Sequence, residues 1–274
     1  MKKIIIYDRE QQDHIPRWLS GLAEYFKNKN FGIETCHMHK IPDFQNCKLL
    51  LMWNGAEPIH QPILERARQE NIRILFVECG PIAQKNYYYI DEKGINAQSS
   101  LMDDDLSWVS EEHVDKLELF RQAYLDNRKW NPPGKYIFVP LQIESDTNII
   151  KNSPYKTMQS FINHCEEKFQ DEYIIFKTHP LLPNLNYRIH GNNAIIRQGS
   201  FLDHIQEAKL VYGLTSTALL ESTLMGVPTE CIGDCWLNKH KGNEEKLLAT
   251  LVDKQIPIGS SDLDYWIGKY VNFS

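Results

Sequence analysis

Residues 209–221, KLVYGLTSTALLE, carry the strongest fold signal in the chain. The first four residues read as a short buried strand, and an apolar helix pattern then continues until residues 226–228 (GVP) end it. Three hydroxyl residues, Thr215, Ser216 and Thr217, therefore lie at a strand-to-helix turn. The first turn of a helix offers unpaired N–H groups and the positive end of the helix dipole, which suits a phosphate. A simple helix cap is the alternative, because Ser and Thr commonly cap helices.

The composition is that of a globular protein. The chain has 274 residues, 42% of them hydrophobic and 24% charged, which suits two modest domains or one large one. A net charge of −6 disfavours a broad cationic surface for nucleic acid. The apolar stretch after Met1 is strand-length and reads as a first strand, not as a signal peptide. Six scattered cysteines without a C-x-x-C pair predict reduced thiols and a cytoplasmic protein.

Strand and helix patterns alternate along both halves of the chain, which predicts parallel sheets with covering helices. Residues 131–134 (NPPG) give the clearest linker signal. We therefore predict two Rossmann-like domains, 1–131 and 135–274, with a cleft between them. Helices are expected near both ends of the chain, over 15–28 and 261–271. In open parallel sheets the ligand binds at the carboxyl ends of the strands.

Polar side chains follow two further predicted strands of the C-terminal domain. Lys177 and His179 come directly after one strand, and Pro180 prevents that strand from continuing. Gln142 follows the first strand of the domain, and Asp146 lies four residues later. A histidine and several hydroxyls at one sheet edge suit a diphosphate or a nucleoside phosphate. An ordinary strand end and an Asp-initiated turn are the alternatives, and the absence of a Walker A or G-x-G-x-x-G motif disfavours a P-loop or a dinucleotide cofactor.

Two carboxylates complete the set of candidate residues. Glu221 lies about one helical turn beyond the hydroxyl residues and is placed to accept hydrogen bonds from a sugar hydroxyl. Glu78 ends an N-terminal strand, where it suits a general base or an electrostatic partner for a cationic transition state. Cys79 as a nucleophile lacks a histidine partner in the sequence. The acidic run 103–105 is either a metal site or a solvated loop, and we favour the loop.

Together these strings resemble the capsule polysaccharide biosynthesis proteins, the group that contains the bacterial Kdo transferases of capsule and lipopolysaccharide assembly. The resemblance covers about residues 73–242. Its C-terminal strings are 139–142 (VPLQ) with Asp146, 177–180 (KTHP), Thr215-Ser216 with Glu221, and 226–228 (GVP). Its N-terminal strings, 78–80 (ECG) and 90–96 (IDEKGIN), are similar to the family's Glu-Asp-Gly and Asp-x-x-Gly-x-Asn elements. Cys79 stands where the family commonly has Asp, and the chain is short for the family.

The resemblance implies an α/β fold of the GT-B type, in which two Rossmann-like domains face each other across a cleft and the C-terminal helix packs back on the N-terminal domain. Carried over by position, the donor-binding residues are Gln142, Lys177, His179, Thr215, Ser216, Thr217 and Glu221, and Glu78 is the catalytic carboxylate of the acceptor-side domain. Among these, His179, Ser216 and Thr217 would hold the donor phosphate. Glu221 would bind the nucleotide ribose.

The leading hypothesis is a glycosyltransferase that moves Kdo or a related acidic sugar from a CMP-activated donor onto a capsule or lipopolysaccharide glycan. No cofactor and no metal ion are predicted, because His179 and the helix terminus at Thr215 can neutralise the phosphate. The expected partners are the nucleotide sugar, a glycan or glycolipid acceptor, and the inner membrane or an assembly complex through peripheral contact. The alternatives are a polyol-phosphate transferase or nucleotide-sugar epimerase on the same fold, and a non-catalytic partner in a glycan-assembly complex.

Overall fold

The protein is described by a computed structural model, which covers residues 1–8, 17–37, 40–183, 185–268 and 270. The chain forms two compact units. Unit 1 comprises Met1–Asp104 and Lys254–Ser274, and unit 2 comprises Asp105–Asp253. The boundary that the sequence indicates, at residues 131–135, thus lies inside unit 2. The residues after 253, which the sequence assigns to the C-terminal domain, return to unit 1.

Strands and helices alternate through most of the chain. The strands are β1 (Lys3–Asp8), β2 (Gly32–His37), β3 (Cys47–Trp53), β4 (Arg73–Cys79), β5 (Tyr87–Asp91), β6 (Tyr136–Pro140), β7 (Ile174–Lys177), β8 (Ala194–Ile196), β9 (Ala208–Gly213), β10 (Thr229–Cys231) and β11 (Ile256–Pro257). The α-helices are α1 (Arg17–Asn28), α2 (Gln61–Gln69), α3 (Glu111–Leu125), α4 (Thr147–Asn152), α5 (Met158–Lys168), α6 (Phe201–Gln206), α7 (Ala218–Met225), α8 (Trp236–Lys239), α9 (Glu244–Lys254) and α10 (Leu263–Gly268). No helix within the described ranges is long and apolar enough to cross a bilayer.

The two helices predicted near the chain ends are present as α1 and α10. Residues 15 and 16 of the first prediction lie outside the described residues, as do residues 269 and 271 of the second. The observed α10 begins at Leu263, two residues after the predicted start.

Unit 1 is built on a six-stranded sheet in the order β11-β5-β4-β3-β1-β2. The strands β1 to β4 are parallel, β5 pairs antiparallel with β4, and β11 pairs antiparallel with β5 at the edge. Alternate residues of the parallel strands, such as Ile4, Leu49 and Leu75, pack against α1 in one buried cluster. Ile256 and Ile267 belong to the same cluster. The C-terminal helix therefore packs in the N-terminal unit, as the resemblance implies.

Unit 2 is built on a five-stranded, fully parallel sheet in the order β10-β9-β6-β7-β8. Its core joins the apolar side chains of β6, β7 and β9 to those of α5, including Phe161 and Ile162. Because β9 and β7 flank β6, the carboxyl ends of these three strands meet at one sheet edge. Two α/β units with parallel strands and covering helices confirm the predicted fold class.

Candidate functional site

The loops after β6 and β9 are joined by two hydrogen bonds at the carboxyl edge of the unit 2 sheet. Gln142 Nε2 donates to Thr215 Oγ1 at 3.2 Å, and Thr215 N donates to Gln142 Oε1 at 3.0 Å. One amide side chain therefore satisfies both the hydroxyl and the backbone N–H of a residue 73 positions away. Two of the predicted donor-binding residues are thus in contact, and Gln142 fixes the position of the turn that Thr215 begins.

The turn itself differs from the sequence prediction at its helical end. Helix α7 begins at Ala218, three residues after the predicted start at Thr215. Ser216 Oγ accepts from Ala218 N at 3.2 Å, and the Ser216 carbonyl accepts from Leu219 N at 3.0 Å. Local bonds of this kind let Ser compete with helical geometry, which delays the helix. The Ser216 hydroxyl therefore makes a local bond just before the helix, while the N-cap position itself is Thr217, whose side chain makes no cap bond.

Two backbone N–H groups remain available at this turn. Within the described part of the chain, the N–H groups of Ser216 and Thr217 have no hydrogen-bond partner, and the Thr217 side chain makes no cap bond. Both residues are half-buried. These groups lie at the N-terminal end of α7, where the helix dipole favours a negative charge. The turn therefore combines the features of an anion-binding helix terminus.

Lys177 ends β7 at the same edge of the sheet, and His179 follows two residues later. Lys177 is the last residue of the strand and is buried, and burial lowers the pKa of its ammonium group. Its Nζ donates to the Thr178 carbonyl at 3.4 Å. Burial also lowers the pKa of His179, with the Lys177 charge acting in the same direction and Asp146 opposing it. His179 is therefore held towards its neutral form.

The tautomer of His179 follows from its hydrogen bond. Leu181 N donates to His179 Nδ1 at 3.2 Å, so the proton of the neutral ring lies on Nε2. The loop that carries this contact is fixed by Gln198, whose Nε2 donates to Thr178 Oγ1 at 2.7 Å and to the Pro183 carbonyl at 2.8 Å. The result is a positioned N–H donor at the carboxyl edge. The sequence shows the His-Pro pair but gives no indication that Gln198 supports it.

Glu221 has a partner that the sequence analysis missed. Tyr124 Oη, from α3, donates to Glu221 Oε1 at 2.6 Å. Burial raises the pKa of Tyr124 well above its usual value, and the Glu221 charge adds to this effect. The hydroxyl therefore remains a donor at neutral pH. Phe120 and Tyr124 form an aromatic i,i+4 pair that is visible in the sequence, but the contact of Tyr124 with Glu221, 97 positions later, is not.

Glu78 lies in unit 1, at the penultimate position of β4. Its Oε2 accepts from Asn54 Nδ2 at 2.8 Å, and its Oε1 accepts from Cys79 N at 2.9 Å. Burial, followed by the Glu78 charge, raises the pKa of the Cys79 thiol to about 12. The thiol therefore stays protonated at neutral pH, which argues against the nucleophile alternative. The other candidate residues all lie in unit 2, and Glu78 is separate from them in the chain.

The Asp-x-x-Gly-x-Asn string of unit 1 is a structural element. Asp91 is buried and accepts from the N–H groups of Lys93, Gly94 and Ser100 at 2.8 to 3.2 Å, and from Ser100 Oγ at 2.6 Å. Its carboxylate thus organises the loop that follows β5. Asn96 N donates to Tyr89 Oη at 2.9 Å and fixes the loop further along. The string therefore fixes the loop that follows β5, the strand that pairs with β4 and its residue Glu78.

The acidic run 103–105 has the character of a solvated loop. Asp103 pairs with Lys93 at 2.5 Å, and Asp105 Oδ1 accepts from Ser107 N at 2.8 Å. Across the described residues, no three His, Cys, Asp or Glu side chains are grouped so as to hold a metal ion. These contacts favour the loop interpretation over the metal alternative for this run.

The Gln142–Thr215 pair leads to a stability prediction. Gln142→Leu removes both hydrogen bonds and leaves the Thr215 N–H unpaired in a half-buried position, so we expect a loss of about 1–3 kcal/mol in the free energy of unfolding of unit 2. Gln142→Glu is the matched control, because a carboxylate oxygen still accepts from that N–H. Urea unfolding followed by tyrosine and tryptophan fluorescence measures both variants. Equal stability of the two would show that the pair does not hold the turn.

Comparison with known proteins agrees with the motif-based resemblance. A family model described as "Capsule polysaccharide biosynthesis protein" matches residues 108–241. The match contains the Gln142, His179 and Thr215 loops and begins after Glu78, so the N-terminal strings lie outside it. It confirms the resemblance to this family for the part of the chain that includes the unit 2 site. No curated protein sequence is a match to the chain.

Two solved structures share the fold. One is titled "Thermosulfurimonas dismutans KpsC, beta Kdo 2,7 transferase"; it is 19% identical, has a TM-score of 0.67, and the alignment covers 98% of this chain and 100% of that chain. The other is titled "Thermosulfurimonas dismutans KpsC, beta Kdo 2,4 transferase"; it is 15% identical with a TM-score of 0.66, covering 90% of this chain and 89% of that chain. At these identities the likeness is one of fold, and it supports the predicted GT-B type.

Proposed function

We propose that this chain, with its resemblance to capsule polysaccharide biosynthesis proteins, is a glycosyltransferase that uses a nucleotide-activated sugar. The observation that carries the proposal is that the His179 ring and the unpaired N–H groups of Ser216 and Thr217 follow strands whose carboxyl ends lie at the same edge of the unit 2 sheet. Such a group suits the phosphate of a nucleotide donor. The family match to residues 108–241 and the fold shared with two Kdo transferases support the same conclusion.

In the proposed reaction an acceptor hydroxyl attacks the anomeric carbon of the donor sugar, and the bond from that carbon to the phosphate oxygen breaks. The N–H groups of Ser216 and Thr217 and the Nε2–H of His179 stabilise the charge that develops on the leaving phosphate. Glu78 takes the proton of the attacking hydroxyl as general base. Fixed N–H donors supply this stabilisation, so the proposal requires no metal ion.

We propose a CMP-linked donor that carries Kdo or a related acidic sugar, on the basis of the family resemblance and the two transferases with the same fold. The proposed acceptor is a growing glycan or glycolipid of a bacterial capsule or lipopolysaccharide. Such a reaction draws its nucleotide sugar from the cytoplasm. It would bring the protein to the inner membrane or to an assembly complex through peripheral contact.

The proposal is tested by measuring affinities for CMP, CDP, UDP and GDP by calorimetry, followed by an assay of sugar transfer from CMP-Kdo. We expect CMP to bind most tightly and purified protein to release CMP when an acceptor glycan is present. Transfer of a polyol phosphate or epimerisation of the donor in the same assay would identify the alternative chemistries. If no nucleotide binds, the proposed function is wrong.

A substitution that removes one backbone N–H group tests the phosphate contact directly. Thr217 has φ −60°, which proline can adopt, so Thr217→Pro deletes the N–H without forcing a new backbone angle there. We expect about a tenfold loss of nucleotide affinity, since one hydrogen bond to a charged group is lost. Thr217→Ala is the matched control because it keeps the N–H and removes the hydroxyl. Calorimetry on both variants, with circular dichroism as a check on folding, gives the comparison; equal affinities in two folded variants would contradict the predicted contact.

A further inference from the structure

We propose that Tyr124 is a positioning residue for the nucleotide: its hydroxyl orients the Glu221 carboxylate for a hydrogen bond with a hydroxyl of the donor's ribose. This inference rests on the proposed function and deepens it. It assigns a role to α3, which neither the motifs nor the resemblance includes in the site.

The geometry begins with a short, charge-assisted contact. Tyr124 Oη donates to Glu221 Oε1 at 2.6 Å, within the range of strong O–H···O⁻ bonds. Both side chains are half-buried, so the bond is less exposed to competing water than a surface pair. A free glutamate on a helix has three rotatable bonds, and one fixed oxygen removes most of that freedom. The carboxylate is thus held in one orientation before any ligand binds.

Tyr124 is itself held in place. Its ring stacks on Phe120, one turn earlier in α3, with ring centroids 5.8 Å apart and an interplanar angle of 12°. Its hydroxyl is protonated at neutral pH because burial and the Glu221 charge raise its pKa. The donor in this pair is therefore the tyrosine throughout the physiological pH range.

Spacing along α7 connects this pair to the phosphate turn. Glu221 follows Thr217 by four residues, and Glu221 N donates to the Thr217 carbonyl at 3.3 Å, so the two residues are one helical turn apart. One turn of α-helix rises about 5.4 Å. This is on the scale of the separation between the phosphate and the ribose hydroxyls of a nucleoside phosphate. A nucleotide whose phosphate contacts the N–H groups of Ser216 and Thr217 can therefore extend its ribose along α7 towards Glu221.

The pair thus predicts discrimination between ribose and deoxyribose. A half-buried carboxylate that is fixed in place discriminates against a ligand that lacks the matching hydroxyl, because it cannot turn to replace the missing hydrogen bond. A mobile glutamate turns away to water and discriminates less. Loss of the Tyr124 hydroxyl is therefore expected to reduce the preference for the ribonucleotide, with a smaller effect on the deoxynucleotides.

The test uses the intact chain and measures, by calorimetry, the affinities of wild type and Tyr124→Phe for CMP, UDP and GDP and for their 2′-deoxy and 3′-deoxy counterparts. We expect Tyr124→Phe to bind the preferred ribonucleotide about tenfold more weakly than wild type does. For the deoxynucleotide that wild type binds more weakly than this ribonucleotide, we expect the affinities of the variant and of wild type to agree within about twofold. Tyr25→Phe is the matched control, since Tyr25 Oη makes the same kind of bond to Asp264 Oδ1, at 2.8 Å, in unit 1. That variant should retain both wild-type affinities.

The outcomes separate the inference from the function on which it rests. If wild type prefers the ribonucleotide and Tyr124→Phe keeps that preference, the positioning role is wrong while the donor site stands. An equal loss for ribonucleotide and deoxynucleotide would indicate a structural role for Tyr124 and would also overturn the inference. If wild type binds none of the nucleotides, the proposed function fails first. A lost preference in Tyr124→Phe alone supports the positioning role.

Discussion

Glu78→Gln is expected to lower turnover by at least about a hundredfold while nucleotide affinity stays at the wild-type value. An amide cannot take the proton of the acceptor hydroxyl, but it has nearly the same shape as the carboxylate. Its oxygen can still accept from Asn54 Nδ2 or from Cys79 N, which hold the present carboxylate at 2.8 and 2.9 Å. The local structure at the end of β4 should therefore survive. Single-turnover assays with a nucleotide sugar, together with calorimetry, separate the chemical step from binding.

The matched control is Glu65→Gln, a carboxylate on the exposed face of α2 in the same unit. It should be fully active. A Glu78→Gln variant that turns over at the wild-type rate would reject Glu78 as the base. A loss of both turnover and thermal stability would instead assign Glu78 to the structure of unit 1, through its bonds to Asn54 and Cys79.

His179→Ala is expected to weaken nucleotide binding by more than about tenfold, because it removes the Nε2–H donor and the positive charge that the ring can acquire. A pH series makes the test specific. Burial holds the pKa of His179 below its usual value, and a bound phosphate favours the charged ring and raises that pKa. Binding therefore takes up a proton, and affinity should rise as the pH falls from about 8 towards 6.

His164→Gln serves as the control for this series. His164 lies on α5 in the same unit, and burial lowers its pKa as well, but its ring contacts Tyr212 Oη, at 2.9 Å, which is not one of the proposed donor-binding residues. The His164→Gln variant should keep the wild-type pH dependence of nucleotide affinity. The His179→Gln variant should keep only the pH dependence that comes from titration of the nucleotide's own phosphate. An unchanged pH profile in His179→Gln would contradict a phosphate contact at this ring.

The strand ends that form the candidate site were predictable from local sequence. Each of three apolar runs leads within a few residues to polar side chains: Gln142 after β6, Lys177 and His179 at the end of β7, and three hydroxyl residues after β9. These strand ends are predictable because strand periodicity and turn residues are local features of the sequence. Parallel topology then brings these ends to one edge. The order of the motifs along the chain was therefore sufficient to predict that they meet at one edge of a parallel sheet.

What the sequence did not reveal depends on contacts between distant residues. The bonds of Gln142 to Thr215 and of Tyr124 to Glu221 join positions 73 and 97 residues apart, and no local pattern encodes such pairs. The start of α7 was missed for a different reason: Ser216 uses its own side chain and carbonyl to satisfy the first helical N–H groups. The return of the chain to unit 1 after Asp253 depends on the pairing of β11 with β5, and the linker signal at residues 131–134 contains no information on that pairing.

The return of β11 to the sheet of unit 1 makes that unit discontinuous in sequence, with unit 2 inserted between its two parts. During synthesis the first 104 residues therefore leave the ribosome with β5 as an unpaired edge and without Ile256, Leu263 and Ile267 of their core. Unit 2 can be completed first, although it is encoded later than most of unit 1. A nonsense mutation shortly after Asp253 would thus damage the half of the protein that contains Glu78 and spare the half that contains His179.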